Sequence, residues 1–260
     1  MILDDIANNT RSKLNLIDRF QRDEMRELAY SLPSSDSFPF YRALSKPELS
    51  FIAEVKKASP SKGLISKDFN PLKTAKEYES IGIDAISVLT ETDYFLGSPD
   101  YLKSISSEVS TPLLRKDFII DSYQIHEAKV IGASAILLIC ALLDKSTLEL
   151  FYKEATELGL DVLVEAHNRD EVDMALSIDA KIIGINNRDL KTFHVDFSNS
   201  ERMREYIPSS KIMVSESGYS TRDDIIRAQE MKVDAVLIGE TFMRSSSKRE
   251  LLSSLKGINI

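Results

Sequence analysis

The sequence predicts a single α/β domain in which eight strand–helix units close into a barrel, preceded by a helical extension. Eight short apolar segments recur along the chain, and a helix-like stretch follows each of them. The length of 260 residues suits such a barrel, which commonly takes about 250 residues as one unit. A hydrophobic share of 43% supplies the apolar side chains for one large core.

The eight apolar segments have the length and composition of buried parallel strands. Their starts lie 21 to 34 residues apart, which leaves room for one strand, one crossover helix and two turns. Near-continuous apolar runs are expected where helices cover one face of a strand and the barrel interior covers the other. In chain order the segments are FIAEVK (51–56), AISVLT (85–90), PLLRKD (112–117), AILLIC (135–140), DVLVEA (161–166), IIGINN (182–187), KIMVSES (211–217) and AVLIGE (235–240).

A weak internal repeat supports the same architecture. The segments IGIDAISVL (81–89), IGASAILLI (131–139) and MKVDAVLIG (231–239) share a helix end, a turn, a small residue and a strand. Gly82 and Gly132 are well placed for the left-handed residue that stops a helix. No glycine-rich dinucleotide loop follows the first strand, where an open nucleotide-binding sheet would carry one. A (β/α)8 TIM barrel is therefore favoured over an open doubly wound sheet.

The chain before the first strand is predicted to be an extension of one or two helices. We assign residues 1–46 to this extension and residues 47–260 to the barrel, within one domain. The helical pattern is interrupted near Asn8 and Asn9, and LPSSDSFPF (32–40) then breaks it. The extension has too few apolar residues for a core of its own, so we expect it to pack on the barrel. The apolar residues that approximate one helical face are Ile2, Leu3, Ile6, Leu14, Ile17, Phe20, Met25 and Leu28.

Charge and cysteine content exclude several classes of function. The formal net charge of −8 argues against a nucleic-acid surface but not against an anionic small substrate in a cleft. The lone Cys140 cannot form a disulfide within the chain, which suits a reducing compartment. MILDDIANN at the N-terminus lacks the apolar core of a secretory signal, and the apolar run 135–143 is too short for a membrane span. We expect a cytoplasmic monomer with no nucleic-acid or membrane partner.

Polar side chains are concentrated at the ends of the predicted strands, where such barrels place their active sites. Glu54 and Lys56 lie two residues apart on the first strand and therefore project to the same face. A structural ion pair would explain these two alone, since charges inside a barrel are costly unless paired or used. Lys116 on the third strand and Glu165 on the fifth repeat the pattern, which favours catalysis. The candidate catalytic residues are Glu54, Lys56, Lys116, Glu165, Asn186 and Ser217.

The turns after the last two predicted strands are typical of a phosphate site. SESGYS (215–220) and LIGETF (237–242) follow the seventh and eighth strands, where barrels often hold a phosphate with backbone N–H groups. Gly218 and Gly239 would allow close approach of the backbone. Each turn alone would be an ordinary connection, and the pair favours a phosphorylated small-molecule substrate. Ser59, after the first strand, could add a hydroxyl donor.

Seven ordered segments carry these strand ends: FIAEVKKASPSKG (51–63), SVLTETDYFLGS (87–98), LLRKDFIID (113–121), LVEAHN (163–168), IGINNRDL (183–190), VSESG (214–218) and LIGETFMR (237–244). In this order they resemble the strand-end motifs of the indole-3-glycerol-phosphate synthase family. The resemblance extends from about residue 38 to about residue 250, and the N-terminal extension is also similar. The first and third segments are the most specific.

The resemblance implies roles for individual residues. Lys116 corresponds to the catalytic lysine of the family and Glu165 to its catalytic glutamate, while Glu54 and Lys56 correspond to the charged pair of the first strand. Glu240 lies beside the implied phosphate, so its carboxylate is expected to point away. The other implied matches are Asn186 and Ser217 as polar active-site residues, Arg188 two positions after Asn186, Ser59, Gly218 and Gly239 as phosphate contacts, and Phe95 and Phe118 as aromatic residues of the anthranilate-ring pocket.

The resemblance also implies a reaction, the ring closure of 1-(2-carboxyphenylamino)-1-deoxyribulose 5-phosphate in tryptophan biosynthesis. The ring carbon that bears the carboxylate attacks the sugar ketone, carbon dioxide leaves, and loss of water completes the indole. Charge develops on the ketone oxygen, which requires an acid, and dehydration requires an acid and a base. Burial and the proximity of Lys56 are expected to lower the pKa of Lys116, with Glu54 opposing this shift.

We expect neither a metal nor an organic cofactor for these steps. Ring closure itself creates the electron sink for loss of carbon dioxide, so pyridoxal phosphate is not required. His126, His167 and His194 are scattered without the spacing of metal ligands, and we expect them to be structural or exposed.

Two other interpretations stay open. Another phosphosugar barrel, such as a phosphoribosylanthranilate isomerase, would more naturally use a cysteine and an aspartate as acid and base. Here Cys140 ends the fourth strand, where packing is expected, and the first strand carries no cysteine. A non-catalytic barrel that only binds ligands would be expected to lose its ionisable strand ends, and all of these are present.

Overall fold

The barrel is visible in the computed structural model, which describes residues 2–34, 37–189 and 192–258. Met1, two residues of the 32–40 segment, and Leu190 at the end of IGINNRDL lie outside the described residues. In chain order the strands are β1 (Ser50–Val55), β2 (Ala58–Ser59), β3 (Gly63–Leu64), β4 (Ala85–Leu89), β5 (Leu113–Lys116), β6 (Ala135–Ile139), β7 (Asp161–Ala166), β8 (Ile182–Asn186), β9 (Ile212–Glu216) and β10 (Ala235–Ile238).

Eight of these strands form a closed parallel barrel in the order β1-β10-β9-β8-β7-β6-β5-β4. Strand β1 completes the closure because it pairs with both β10 and β4. Strands β2 and β3 form a separate antiparallel hairpin in the loop after β1. The predicted TIM barrel is therefore confirmed, with all eight apolar segments as its strands.

Helices alternate with the barrel strands and cover them from outside. Aspartate and asparagine side chains accept hydrogen bonds from first-turn N–H groups and so begin several helices, as Asp144 and Asn168 do. In the described part of the chain, no helix is both long and apolar enough to cross a membrane. The helices are α1 (Ile2–Leu14), α2 (Arg19–Ser31), α3 (Pro39–Leu44), α4 (Pro71–Ser80), α5 (Pro99–Ser106), α6 (Ser122–Val130), α7 (Lys145–Glu157), α8 (Arg169–Ser177), α9 (Ser198–Arg204), α10 (Arg222–Glu230), α11 (Glu240–Arg244) and α12 (Lys248–Lys256).

Alternation along each strand divides the apolar side chains into two layers. On β1, Phe51 and Ala53 belong to the layer between the strands and the helices, whereas Ile52 belongs to the barrel interior. The two glycines predicted to end helices have φ values of 79° at Gly82 and 86° at Gly132, which confirms their left-handed conformation.

The N-terminal extension differs from its prediction in two respects. It contains three helices rather than one or two, because α3 begins at Pro39, within the 32–40 segment that was predicted to break the helical pattern. Helix α1 also runs without interruption through Asn8 and Asn9, so the predicted break at these residues is wrong.

The predicted apolar face of the extension is buried only in part. Leu3, Ile6 and Leu14 of α1 are buried against the barrel. In α2, Phe20 is 76% exposed and Leu28 is 45% exposed, so these two side chains do not belong to the buried face. We propose that the extension and the barrel form one domain, since α1 contacts the carboxyl end of the barrel and α3 contacts its amino end.

Helix α3 plugs the amino end of the barrel. Phe40 and Leu44 are fully buried and pack with the interior side chains of the strands. Asp161, the first residue of β7, accepts hydrogen bonds from the backbone N–H groups of Phe40 at 2.9 Å and Tyr41 at 3.0 Å. Burial of this carboxyl raises its pKa to about 6, although the two N–H groups oppose the shift.

We predict that Asp161→Asn removes a pH-dependent component of stability. A carboxyl with a raised pKa stabilises the fold fully below its ordinary pKa of 3.8, and this contribution is lost as the pH rises through about 6. The free energy of unfolding of the variant, relative to the natural chain, should therefore increase by about 2 kcal/mol between pH 4 and pH 7. Denaturant unfolding followed by circular dichroism at each pH measures this difference.

The matched control is Asp144→Asn at the exposed N-terminus of α7. Hydrogen bonds from Thr147 and Ser146 lower the pKa of Asp144, so its contribution is lost as the pH falls. Its pH dependence should therefore have the opposite sign. Parallel stability curves for Asp161→Asn and the natural chain would contradict the assignment.

Candidate active site

The carboxyl ends of the strands surround a cavity of about 430 Å³. All twelve residues that the sequence singled out as catalytic or substrate-binding line this one cavity, although they come from seven of the eight strand–loop units. Parallel strands place their carboxyl ends at the same edge of a barrel, which explains why distant segments meet here.

Lys116 lies at the centre of the charged part of the cavity. Its Nζ donates hydrogen bonds to Oε2 of Glu165 at 2.8 Å and to Oε2 of Glu216 at 2.7 Å. The two carboxylate side chains are only 4% and 2% exposed, and the lysine side chain is 14% exposed. A single ammonium is thus held between two buried carboxylates.

The two carboxylates determine the acid–base character of Lys116. Burial alone would lower the pKa of its ammonium, but the charges and hydrogen bonds of Glu165 and Glu216 raise that pKa above its ordinary value. The expectation of a lowered pKa is therefore wrong. That expectation took account of burial, Lys56 and Glu54, but not of the ion pairs that Lys116 forms with Glu165 and Glu216.

The carboxyl groups of Glu165 and Glu216 have pKa values shifted in opposite directions. Burial favours the neutral form of Glu165, but the positive charges of Lys116 and His167 outweigh burial and lower its pKa. For Glu216, burial and the negative charge of Glu165 outweigh the effect of Lys116 and raise the pKa. Two carboxyl groups that share one cation do not ionise independently.

Glu216 is the residue that the sequence analysis missed. It is the last residue of β9. The segment around it was assigned to phosphate binding, with the neighbouring Ser217 as its candidate catalytic residue. Gly184 on β8 was a signal of the position of Glu216, because a Cβ atom added at this glycine would collide with Oε1 of that side chain. A glycine in the middle of a strand often marks such a close approach.

Glu54 on β1 forms an ion pair with Lys56, the residue directly after this strand, as their shared face predicts. A Cβ atom added at Gly239 would collide with the Glu54 carboxylate and lie 2.8 Å from Nζ of Lys56. The glycine after β10 therefore leaves space for this ion pair, a requirement that exists without any phosphate.

Asn186 connects several of the polar groups. Its Nδ2 donates to Oε1 of Glu165 at 3.3 Å, and its Oδ1 accepts from the hydroxyl of Ser217 at 3.0 Å. The same Oδ1 accepts from the backbone N–H of Arg188 at 3.0 Å. The Arg188 guanidinium donates to the carbonyl of Phe193 at 3.1 Å, which holds it at the cavity wall.

An aromatic wall lies on another side of the cavity. The ring centroids of Phe95 and Phe118 are 5.9 Å apart with a tilted arrangement. Buried Glu91 accepts hydrogen bonds from the N–H groups of Tyr94 and Phe95 at 2.7 Å and 2.9 Å, which fixes the loop after β4. The role of Glu91 in positioning this loop was not predicted from the sequence.

The predicted phosphate contacts Ser59, Gly218 and Gly239 line the same cavity. Gly218 has a φ of 101°, and an added Cβ atom would lie 2.6 Å from Val195 and 2.8 Å from the Phe197 ring. Glycine is thus required here by neighbouring side chains. Glu240 also lines the cavity, and its carboxylate accepts from Arg244 at 2.9 Å and lies 3.9 Å from Nζ of Lys62.

Helix α1 contributes an apolar cover that the sequence analysis did not anticipate. Ile2, Leu3 and Ile6 line the cavity from the N-terminal extension. Lys13 and Asn9 bond to Asp93 in the loop after β4 and so attach the helix to the barrel.

The histidines and the cysteine lie mostly apart from the cavity lining. Among the described residues, no group of three or more His, Cys, Asp or Glu side chains has the arrangement of a metal site. His126 pairs with Glu154 at 2.9 Å in the helical layer, whereas His167 contacts Glu165. Cys140 is buried, and burial raises the pKa of its thiol to about 12.

Comparison with known proteins identifies close relatives along almost the whole chain. A family model described as indole-3-glycerol phosphate synthase matches residues 3–255. The indole-3-glycerol phosphate synthase of Ruminiclostridium cellulolyticum is 50% identical over 258 residues, which cover 99% of each chain. That of Clostridium acetobutylicum is 49% identical, with 100% of this chain and 96% of the relative covered.

Solved structures at low sequence identity share the fold. The 3-hexulose-6-phosphate synthase of Salmonella typhimurium matches with a TM-score of 0.66 at 12% identity, over 80% of this chain and 97% of that one. A Streptococcus mutans protein described as KGPDC matches with a TM-score of 0.61 at 14% identity, over 81% and 97% of the two chains. These two support the barrel alone, whereas the full-length matches settle the family. The chain belongs to the indole-3-glycerol phosphate synthase family.

Proposed function

We propose that this chain is a carboxy-lyase that converts 1-(2-carboxyphenylamino)-1-deoxyribulose 5-phosphate to indole-3-glycerol phosphate in tryptophan biosynthesis. The names of its full-length relatives support the proposal. The observation that carries it is the ammonium of Lys116, held between two buried carboxylates at the edge of the cavity. Ring closure requires a positive charge and a proton at one oxygen of the substrate, and this group can supply both.

In this proposal Lys116 is the general acid of ring closure. Its raised pKa keeps it protonated at neutral pH, so it acts first as a fixed positive charge beside the ketone oxygen. As the ring carbon attacks, negative charge develops on that oxygen and its basicity rises. The proton then moves from Nζ to the oxygen, which gives the hydroxyl group that leaves later as water.

Glu165 is the proposed base, since its lowered pKa leaves it ionised near the lysine. It accepts the proton that the ring system loses during dehydration. Lys56, paired with Glu54, is the proposed second acid, which donates the proton with which the hydroxyl group leaves as water. Glu216 keeps Lys116 in place, and its raised pKa also allows it to exchange protons near neutral pH.

The rest of the cavity supports placement of the two ends of the substrate. We assign the anthranilate ring to the wall formed by Phe95 and Phe118 and the phosphate to the region of Ser59, Gly218 and Gly239. Asn186, Ser217 and Arg188 are the proposed polar contacts between these ends. The flat ring suits an apolar wall, and glycine turns allow backbone N–H groups to approach a phosphate.

The two alternative interpretations gain no support from this geometry. The thiol of Cys140 is buried with a raised pKa, which does not suit the acid–base cysteine of an isomerase. A barrel that only binds ligands would not require the costly burial of Lys116, Glu165 and Glu216. We further infer a cytoplasmic monomer that acts on a small phosphorylated molecule and needs neither nucleic acid nor membrane. The net charge of −8 supports the absence of a nucleic-acid surface.

We predict that Lys116→Ala lowers kcat by at least about 100-fold, the usual cost of a lost general acid. The appearance of indole fluorescence on addition of the substrate measures this loss, and the background is low because the chain contains no tryptophan. Circular dichroism should show an intact fold.

The control for this variant is Lys76→Ala, which removes a surface ion pair with Glu108 outside the cavity. It should retain the full rate. A loss of less than tenfold for Lys116→Ala would remove this lysine from the acid role.

We predict that the substrate phosphate contributes to binding and that Ser59 is one of its contacts. The dephosphorylated substrate should react with kcat/KM reduced by at least about 100-fold, because binding energy at the phosphate positions the ring. Ser59→Ala should raise KM several-fold for the phosphorylated substrate and should leave the dephosphorylated one unchanged. Steady-state kinetics with the four combinations test this, and an equal effect on both substrates would exclude a phosphate contact.

A further inference from the structure

His167 lies behind the proposed base, outside the lining of the active-site cavity. It follows β7 directly, two residues after Glu165. Its Nε2 is 3.4 Å from Oε1 of Glu165, and its Nδ1 is 3.2 Å from Oε2 of Glu171. The imidazole therefore stands between the carboxylate of the active site and a second carboxylate on α8.

Glu171 and its neighbours fix the imidazole. The backbone N–H of His167 donates to Oε2 of Glu171 at 2.8 Å, and Asn168 donates to the other oxygen at 2.6 Å. The Nδ1 side of the ring is thus held at Glu171. The Nε2 atom is buried and makes no hydrogen bond to the described residues, yet it faces the carboxylate of Glu165. A buried ring nitrogen beside a carboxylate is best accommodated when it carries a proton.

We propose that His167 is a positioning residue for the reaction, acting as an imidazolium that orients and charges Glu165. In this arrangement Oε1 of Glu165 is occupied by His167 and Asn186, so that Oε2 is left for Lys116. The inference rests on the proposed function, and it adds a residue that acts on the substrate only through Glu165.

The charges around His167 favour the protonated ring. Burial lowers the pKa of the imidazole, but the hydrogen bond to Glu171 and the negative charges of Glu165, Glu171 and Glu216 raise it above its ordinary value. Lys116 is the nearby cation on β5, and it is already paired with two carboxylates. The ionisable groups that line the adjoining cavity with His167 and Glu171 are Arg188, Asp189, His194, Asp196 and Arg202.

A second cavity gives the ring access to solvent. This cavity of about 510 Å³ is lined by both His167 and Glu171. It lies next to the active-site cavity, and Leu3, Asn186 and Arg188 line both cavities. The imidazole can therefore gain or lose a proton while substrate fills the active site. Because its pKa is raised, the positioning charge persists to a higher pH than that of an ordinary histidine and is lost as the pH rises further.

The test is a pair of variants compared by pH–rate profile. His167→Gln should lower kcat at pH 7 by about tenfold and change KM by less than about twofold. The loss in kcat should be smaller than the roughly 100-fold cost of a lost acid–base group, because His167 acts only through Glu165. It should also remove the alkaline limb of kcat that loss of the imidazolium proton produces in the natural chain. Glu171→Gln should move that limb to lower pH by about one unit, because a negative charge that stabilises the imidazolium is gone.

The matched control is His126→Gln, which removes another buried histidine paired with a glutamate. His126 lies 2.9 Å from Glu154 in the helical layer, away from the cavity. This variant should keep the natural profile and rate, and circular dichroism of all three variants checks the fold.

The outcomes separate this inference from the proposed function. If the natural chain forms no indole product, the proposed function fails. If the natural chain is active but His167→Gln keeps its rate or its alkaline limb, the positioning role of His167 is overturned. A shift of the limb to higher pH in Glu171→Gln would overturn it as well.

Discussion

The active site depends on one interaction, the placement of the Lys116 ammonium between the carboxylates of Glu165 and Glu216. A buried charge is costly unless it is paired and hydrogen-bonded, so each member of this group requires the others. The barrel makes the arrangement possible because β5, β7 and β9 bring their carboxyl ends to one edge. Glu165 and Glu216 lie 49 and 100 residues along the chain from Lys116, so no single strand or loop could bring the three charges into contact.

Several other features of the molecule serve this group. Gly184 leaves space for Glu216, and Gly239 leaves space for the ion pair of β1. Asn186 holds the second oxygen of Glu165 and connects it to Ser217. Helix α1 adds apolar side chains to the cavity lining, and apolar surroundings strengthen the electrostatic interactions near them. Helix α3 closes the opposite end, so the extension completes the barrel at both openings.

Much of the fold could be predicted because its signals are local. Buried strands appear as apolar runs, and the two-residue spacing of Glu54 and Lys56 places both on one face. The pKa of Lys116 could not be predicted in this way, because its direction depends on contacts with Glu165 and Glu216, which are distant in sequence. Glu216 itself was missed because a glycine turn beside it suggested a phosphate site. The exposure of Phe20 and the role of α3 also depend on tertiary packing, which a pattern of apolar residues does not specify.

The charge state of Lys116 is the most direct test of this account. An NMR titration of the Lys116 side chain, selectively labelled at its ε-carbon and nitrogen, reports when the ammonium loses its proton. The account predicts that Lys116 stays protonated beyond the value of about 10.4 that is usual for lysine, and that Glu216→Gln lowers the pH at which the proton is lost. The exposed Lys76 provides the reference in the same sample. Loss of the proton from Lys116 below that of Lys76, or no change in Glu216→Gln, would contradict the central role of the two carboxylates.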